Sequence, residues 1–312
     1  MRRREHDRRP ARLIEKTERR SEDVMSKPTD PAYHWNGADL DLDAYLARIG
    51  FDGERAPTVR TLHELVRAHT TAIPFENLEI ILGRSIPLDL ATLQDKMVRR
   101  RRGGYCYENV GLFAAALERL GFGVTGLSGR VSMGAGAGLR PATHALLRVT
   151  TTDDDRVWLC DVGFGAGPLA PFELSSETGE FAAGEWKFRL ERTRGELDSE
   201  LWVLHQYGRE GWIDRHSFTL NPQYRIDYAV GNHFVSTSPR SPFTTRPYVQ
   251  RFHPDAHHVL DGTTFVTEYP DGTSDTRELE PAELPKILAE VFDIDLTDDD
   301  AAALAEARWA RD

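Results

Sequence analysis

The chain has 312 residues, 40% hydrophobic and 29% charged, which fits two or three domains and excludes a disordered or fibrous chain. Its 39 Lys+Arg against 50 Asp+Glu give a net charge of −11, a poor balance for a nucleic-acid binder because it repels phosphate at range. No run of 18 apolar residues occurs, so neither a transmembrane helix nor a membrane partner is expected.

The charge is uneven. Residues 1–24 hold nine Lys/Arg against six Asp/Glu, a balance of +3, which leaves 30 basic and 44 acidic residues, −14, for the rest. That stretch is too poor in apolar residues to offset ordering entropy. It reads as a tail, or as sequence upstream of a start at Met25, and it lacks the apolar core of a signal peptide. Cys106 and Cys160 are the two cysteines. With no Cys-x-x-Cys pair, neither a structural metal site nor a disulfide scaffold is expected, and two thiols suit a reducing cytoplasm.

From Trp35 onward the pattern is that of a folded chain. Leu42, Tyr45, Leu46 and Ile49, closed by Gly50, have helix spacing. A second helix is expected over 61–69, capped by Thr58 or Thr61, and a third over 90–101. The clearest lies over 105–120, where Cys106, Val110, Phe113, Leu117 and Leu120 share a face before Gly121. After Gly123 short β-type runs follow at 124–131, 145–149, 157–162, 186–191 and 202–207, divided by turns such as 134–138 and 153–155. Residues from 222 read as loop-rich with four prolines, then strands at 264–269 and 276–280, a helix over 281–292 and a terminal helix over 301–309. Helices first, strands second and a mixed end indicate an α+β fold, divided at 1–34, 35–122, 123–221 and 222–312.

Arg102-Gly-Gly-Tyr-Cys-Tyr-Glu108 places a cysteine in the first turn of a helix, where the backbone dipole favours a thiolate. The bland alternative is a buried small hydrophobe. A thiol nucleophile needs a base. Residues 143–161 read as a hairpin centred between Thr152 and Asp153, so partners sum to 305 and His144 faces Asp161 across the strands. A carboxylate there would hold the imidazole in one tautomer. Cys160 then points to the opposite face, into core.

These segments, with Pro74-Phe-Glu-Asn-Leu78, Asp161-Val-Gly-Phe-Gly165 and Asn232-His-Phe-Val-Ser-Thr-Ser-Pro-Arg-Ser-Pro-Phe243, resemble the motifs of the arylamine N-acetyltransferase family, in order, from about residue 38 to 290. The resemblance implies an N-terminal helical domain, a central β-barrel domain and a C-terminal α/β lid around a papain-like Cys-His-Asp core. It implies catalytic Cys106, His144 and Asp161, acetyl-CoA as cosubstrate and an arylamine, arylhydroxylamine or arylhydrazine as acceptor. The reaction would be ping-pong through an acetyl-Cys. Ser128, Gly129 and Arg130, the turn Gly163, Phe164 and Gly165, and Ser236 with Thr237 are the implied cofactor-binding residues, a glycine turn being able to hold phosphate without net charge. Ser238-Pro239 departs from the His-Pro of many members.

Arg99–Arg102 could assist phosphate binding, although Arg99 and Arg100 read better as cations ending a helix. Phe218, Phe234 and Phe243 could meet an aromatic substrate, or simply be core. His253, His257 and His258 read as surface histidines rather than metal ligands. An amide synthase of antibiotic biosynthesis could use the same triad, and a papain-like thiol hydrolase is the rival of another reaction class.

Overall fold

A computed structural model describes residues 30–133, 138–175 and 179–306. The expected tail over 1–24, four residues of the glycine-rich loop (134–137) and the end of the last expected helix lie outside them.

The helical part is punctuated as its caps dictate. Asp41 accepts the Ala44 N–H to open α1 (Leu42–Ile49), and Gly50 closes it at φ 67°. Of the two candidate threonines, Thr58 caps α2 (Val59–Ala72) by accepting the Thr61 N–H at 3.2 Å. A two-residue strand, β1 (Phe75–Glu76), and a single turn, α3 (Leu78–Ile81), come next. The helix expected over 90–101 is α4 (Leu90–Leu93), which widens into a π-helical turn over Gln94–Arg99. Then comes α5 (Cys106–Leu120), stopped by Gly121 at φ 93°. More of α5 is buried than one apolar face, since Leu112 and Ala114 to Ala116 are also covered. It runs through the middle of the helical core with β2 and β3 packed against it, so it is a core helix rather than a surface one.

Among the described residues an eight-stranded antiparallel sheet follows. In chain order its strands are β2 (Gly123–Val131), β3 (His144–Thr150), β4 (Val157–Cys160), β5 (Phe172–Glu173), β6 (Gly179–Ala183), β7 (Trp186–Arg194), β8 (Glu200–Gly208) and β9 (Gly211–Phe218). Spatially they run β5-β4-β3-β2-β9-β8-β7-β6, and the sheet curls until Phe172 and Phe181 on its two edges stack 5.1 Å apart. It is a nearly closed barrel. Period two sorts its side chains: Leu146, Leu159, Leu204 and Phe218 fill the barrel, while Leu147, Val149, Trp158 and Cys160 pack outward on the helical core. Cys160 is thus core, and burial pushes its thiol far above the ordinary range. Strands β5, β6 and β9 had no expectation attached to them.

The last region corrects the sequence reading. Residues 225–237 are not loop but helix α6 (Arg225–Thr237), opened by Asp227, which accepts the Tyr224 N–H at 2.8 Å. Pro222 and Pro239 bracket this helix rather than break it, and its buried stripe of Tyr228, Asn232 and Val235 is masked in the sequence by the polar Asn232. A second sheet has the order β1 then β10 (Tyr248–Phe252), β11 (His257–Asp261), β12 (Thr264–Glu268) and β13 (Ser274–Glu278). Helix α7 (Leu284–Phe292) closes its core with Leu284, Leu288 and Phe292, and α8 (Asp298–Glu306) adds Leu304. His257 is buried in β11 between Gln250 and Glu268, at 2.9 Å from each, so the surface reading of that histidine is wrong.

Candidate active site

Cys106 is the first residue of α5. The two glycines before it are required by space: a Cβ on Gly103 would come 2.1 Å from the Pro74 carbonyl oxygen, and one on Gly104 would meet Glu108. Glu108 accepts the Tyr105 N–H at 3.1 Å and holds the helix start. Its other oxygen takes the ammonium of buried Lys96 at 2.8 Å. Lys96 also lies 3.6 Å from Glu76, which is paired to Arg102 at 2.9 Å, and Arg102 reaches Glu79 at 3.2 Å. Burial opposes every charge here. The paired cations still hold Glu76 below the usual carboxylate range, and the paired carboxylates hold Lys96 above its ordinary value. Arg102 is therefore a structural cation. Arg99 and Arg100 are exposed and pair with Asp95, as cations ending a helix should.

His144 begins β3 and Asp161 follows β4. The strands pair Leu147 with Cys160 and Thr150 with Val157, so partners sum to 307 and not 305. The loop closes one residue later than expected because Asp154 folds back on Arg156, accepting its N–H at 2.7 Å. A slip of two residues preserves the face of every side chain. His144 therefore sits diagonal to Asp161, and its Nε2 donates to Oδ1 at 2.8 Å. Both are buried. Burial alone would lower the His144 pKa, but the Asp161 charge and hydrogen bond, helped by Cys106, raise it to about 9. Asp161 is held well below the usual carboxylate range, its two imidazole partners outweighing burial. With Nε2 committed to Asp161, Nδ1 is the ring nitrogen left for Cys106, whose Sγ lies 3.5 Å from the Thr143 carbonyl oxygen.

The second partner of Asp161 is His216, which the sequence reading missed. Its Nε2 donates to Oδ2 at 2.8 Å. It sits on β9 next to an irregularity: Leu204 pairs with His216 but His205 pairs with Asp214, leaving Arg215 without a partner across the ladder. Such a bulge lets two consecutive side chains, Arg215 and His216, both turn inward. It also breaks the alternation that would have revealed the strand. His144, Asp161 and His216 offer ligand atoms within 4.8 Å of one another, but each nitrogen meets the carboxylate at hydrogen-bond distance.

Cys106 and His144 open on a cleft of about 240 Å³ walled by Phe164, Phe243, Arg140 and Arg246. An apolar cavity of about 150 Å³ holds benzene, so this one accepts an aromatic ring and leaves a larger ligand to extend outside. Of the expected cofactor-binding residues, Gly163 and Phe164 line the cleft. Gly129 is paired with His144 across β2 and β3, and its neighbours Ser128 and Arg130 bond to the Ala142 and Arg140 carbonyls. Gly165, at φ 86°, is packed against Phe75 and Gln250. Ser236 and Thr237 sit on α6 and donate to the backbone of Asn232 and His233. Of the three aromatics, Phe243 lines the cleft, Phe218 is barrel core, and Phe234 lies under Arg240.

A family model described as N-acetyltransferase matches residues 58–301. An arylamine N-acetyltransferase of Mycolicibacterium smegmatis is 39% identical over 263 residues, covering 83% of this chain and 94% of its own. The chain belongs to the arylamine N-acetyltransferase family. The crystal structure of the Nocardia farcinica arylamine N-acetyltransferase superposes with a TM-score of 0.88 at 72% identity, covering 90% of this chain and 99% of that one. The Mycobacterium marinum arylamine N-acetyltransferase, solved in complex with CoA, gives 0.77 at 35% identity over 85% of this chain and 95% of its own. As a member of this acyltransferase family the chain is an enzyme, with the three-part fold of its relatives, and among the described residues no helix is long and apolar enough to cross a membrane.

Proposed function

We propose that the chain transfers acetyl from acetyl-CoA to the nitrogen of an arylamine, arylhydroxylamine or arylhydrazine by a ping-pong route through acetyl-Cys106. One observation carries this reading: a cysteine at a helix N-terminus shares a small aromatic-walled cleft with a histidine that a buried carboxylate holds at 2.8 Å. Cys106 Sγ bonds to the acetyl carbonyl carbon, and the carbon–sulfur bond to coenzyme A breaks. The departing sulfur takes a proton from the His144 imidazolium. The amine nitrogen then attacks the acetyl-Cys, His144 accepts its proton, and the thiolate leaves. Asp161 orients His144 and stabilises the imidazolium throughout.

The Glu108 N–H is taken by the Tyr105 carbonyl at 3.1 Å, so the backbone N–H groups of Cys106 and Tyr107, ahead of it in the first turn of α5, are the ones suited to the oxyanion. Gly163 and Phe164 line the donor's path, with Arg140 as a nearby cation for its phosphates, while the Arg246 guanidinium is paired with Asp261 at the same cleft. The two buried free thiols are compatible with a reducing cytoplasm. Domain limits near residues 35, 123 and 222 fit the change from helical core to barrel to second sheet.

Incubation with acetyl-CoA and no amine should add one acetyl group, mapped to Cys106 by mass spectrometry, and Cys106→Ala should abolish turnover. An unmodified Cys106 would overturn the reading. Hydrolysis of amides without coenzyme A would favour a thiol hydrolase, and acylation only by long polyketide thioesters an amide synthase.

A further inference from the structure

The carboxylate of Asp161 is held at both ends. His144 Nε2 takes one oxygen and His216 Nε2 the other, each at 2.8 Å, and the two rings lie 4.7 Å apart. His216 is fully buried, with Phe164 and Phe218 against it at 5.4 and 5.8 Å. Its Nδ1 has no hydrogen-bond partner among the described residues. A charged imidazolium would need an acceptor for a second N–H in that apolar setting, and none is supplied. Burial accordingly lowers its pKa against the pull of Asp161. His144 is the opposite case, with its pKa raised so that it carries the proton.

We propose that His216 is a positioning residue of the acyl-transfer reaction, a neutral Nε2–H donor that orients the Asp161 carboxylate without neutralising it. The proposal rests on the triad reading given above. An arginine or lysine in the same place would also hold Oδ2, but its charge would compete with His144 for the single negative charge of Asp161. A neutral imidazole fixes the angle at which Oδ1 meets His144 and leaves the charge for the imidazolium that forms next to Cys106. The bulge at Arg215 delivers the ring to that spot. Arg215 itself is buried beside it, but its guanidinium stacks on Phe164 and bonds Gln206 instead of Asp161. The two ring donors on Asp161 are thus one titrating and one silent.

Two substitutions separate positioning from packing. His216→Phe keeps the ring and loses the donor, whereas His216→Gln places an amide N–H where Nε2 was. His216→Phe should lower kcat about ten- to a hundredfold, by analogy with the loss of an outer-shell hydrogen-bond partner at a metal-bound ligand. It should leave the KM for acetyl-CoA nearly unchanged and move the alkaline limb of Cys106 acetylation to lower pH. His216→Gln should restore most of the rate and the limb. A His216→Phe enzyme with wild-type kcat and pH profile would overturn the proposal. So would a folded His216→Gln enzyme as impaired as His216→Phe. Should the variants fail to fold, nitrogen-15 imidazole spectra of the wild-type chain decide: a neutral Nε2–H tautomer from about pH 6 to 9 is expected for His216, and a doubly protonated ring at neutral pH would overturn the proposal. The spectra do not depend on turnover. An unacetylated Cys106 in the wild type would sink the functional reading, and a failed His216 test alone would not.

Discussion

At the proposed active site, His144 is the histidine that burial fails to keep neutral. Its pKa of about 9 arises because the Asp161 charge overcomes burial, so the imidazolium persists through neutral pH and is lost only as pH rises through about 9. Single-turnover acetylation of Cys106 should therefore decline above that pH, since the departing sulfur then finds no proton. Asp161→Asn removes the charge while burial remains, so the imidazolium should be lost at much lower pH. With the wrong tautomer also available, the neutral-pH rate should fall by about 10⁴-fold. Rapid-quench mass spectrometry across pH reads both. The pairing of His144 with Asp161 could be read from the sequence because period two fixes a face even when the register is wrong by two residues. His216 could not, because the irregularity at Arg215 cancels that period where the histidine turns inward.

Among elements, α5 begins at Cys106, the proposed nucleophile, and a buried ion cluster holds its first turn. Lys96→Met would leave Glu108 and Glu76 facing each other without their shared cation. That should cost about 3–5 kcal/mol in urea unfolding, the usual penalty for orphaning a buried charge. The turn after β4 is set by close approach instead. A Cβ on Gly163 would meet Val110 at 2.9 Å and the Cys106 Cα and Ala145 carbonyl at 3.1 Å. Gly163→Ala should therefore slow Cys106 acetylation at temperatures where the fold is intact, because it pushes on the backbone of the proposed nucleophile. Caps made α1, α2 and α5 readable, since Asp41, Thr58, Gly50 and Gly121 act through local geometry. Helix α6 went unread because tertiary contacts stabilise it: Asn232 donates to the Ile86 carbonyl and accepts from the Tyr105 hydroxyl, a burial that no local pattern announces.

At the scale of the whole molecule, the helical region and the second sheet are stitched together next to the cleft. Asn77 donates to the Phe243 and Arg246 carbonyls at 2.9 Å each, and its Oδ1 accepts the Tyr248 N–H at 2.7 Å. Asn77→Ala leaves three backbone groups short of a partner, at about 1–3 kcal/mol for each that water cannot reach. It should lower the melting temperature and raise the KM for acetyl-CoA, since Phe243 and Arg246 are cleft walls; thermal unfolding and steady-state kinetics check the two effects. The closure of β1 on β10 has a further consequence, for synthesis. Phe75 pairs with Gln250 and Glu76 with Val249, contacts that span most of the chain. Cys106, His144 and Asp161 leave the ribosome well before Phe243 to Gln250, so a nascent chain holds this thiol before one wall of its cleft has been made. Until that late segment docks, the cleft beside Cys106 lacks one of its walls, and the length of that interval is set by the speed of translation.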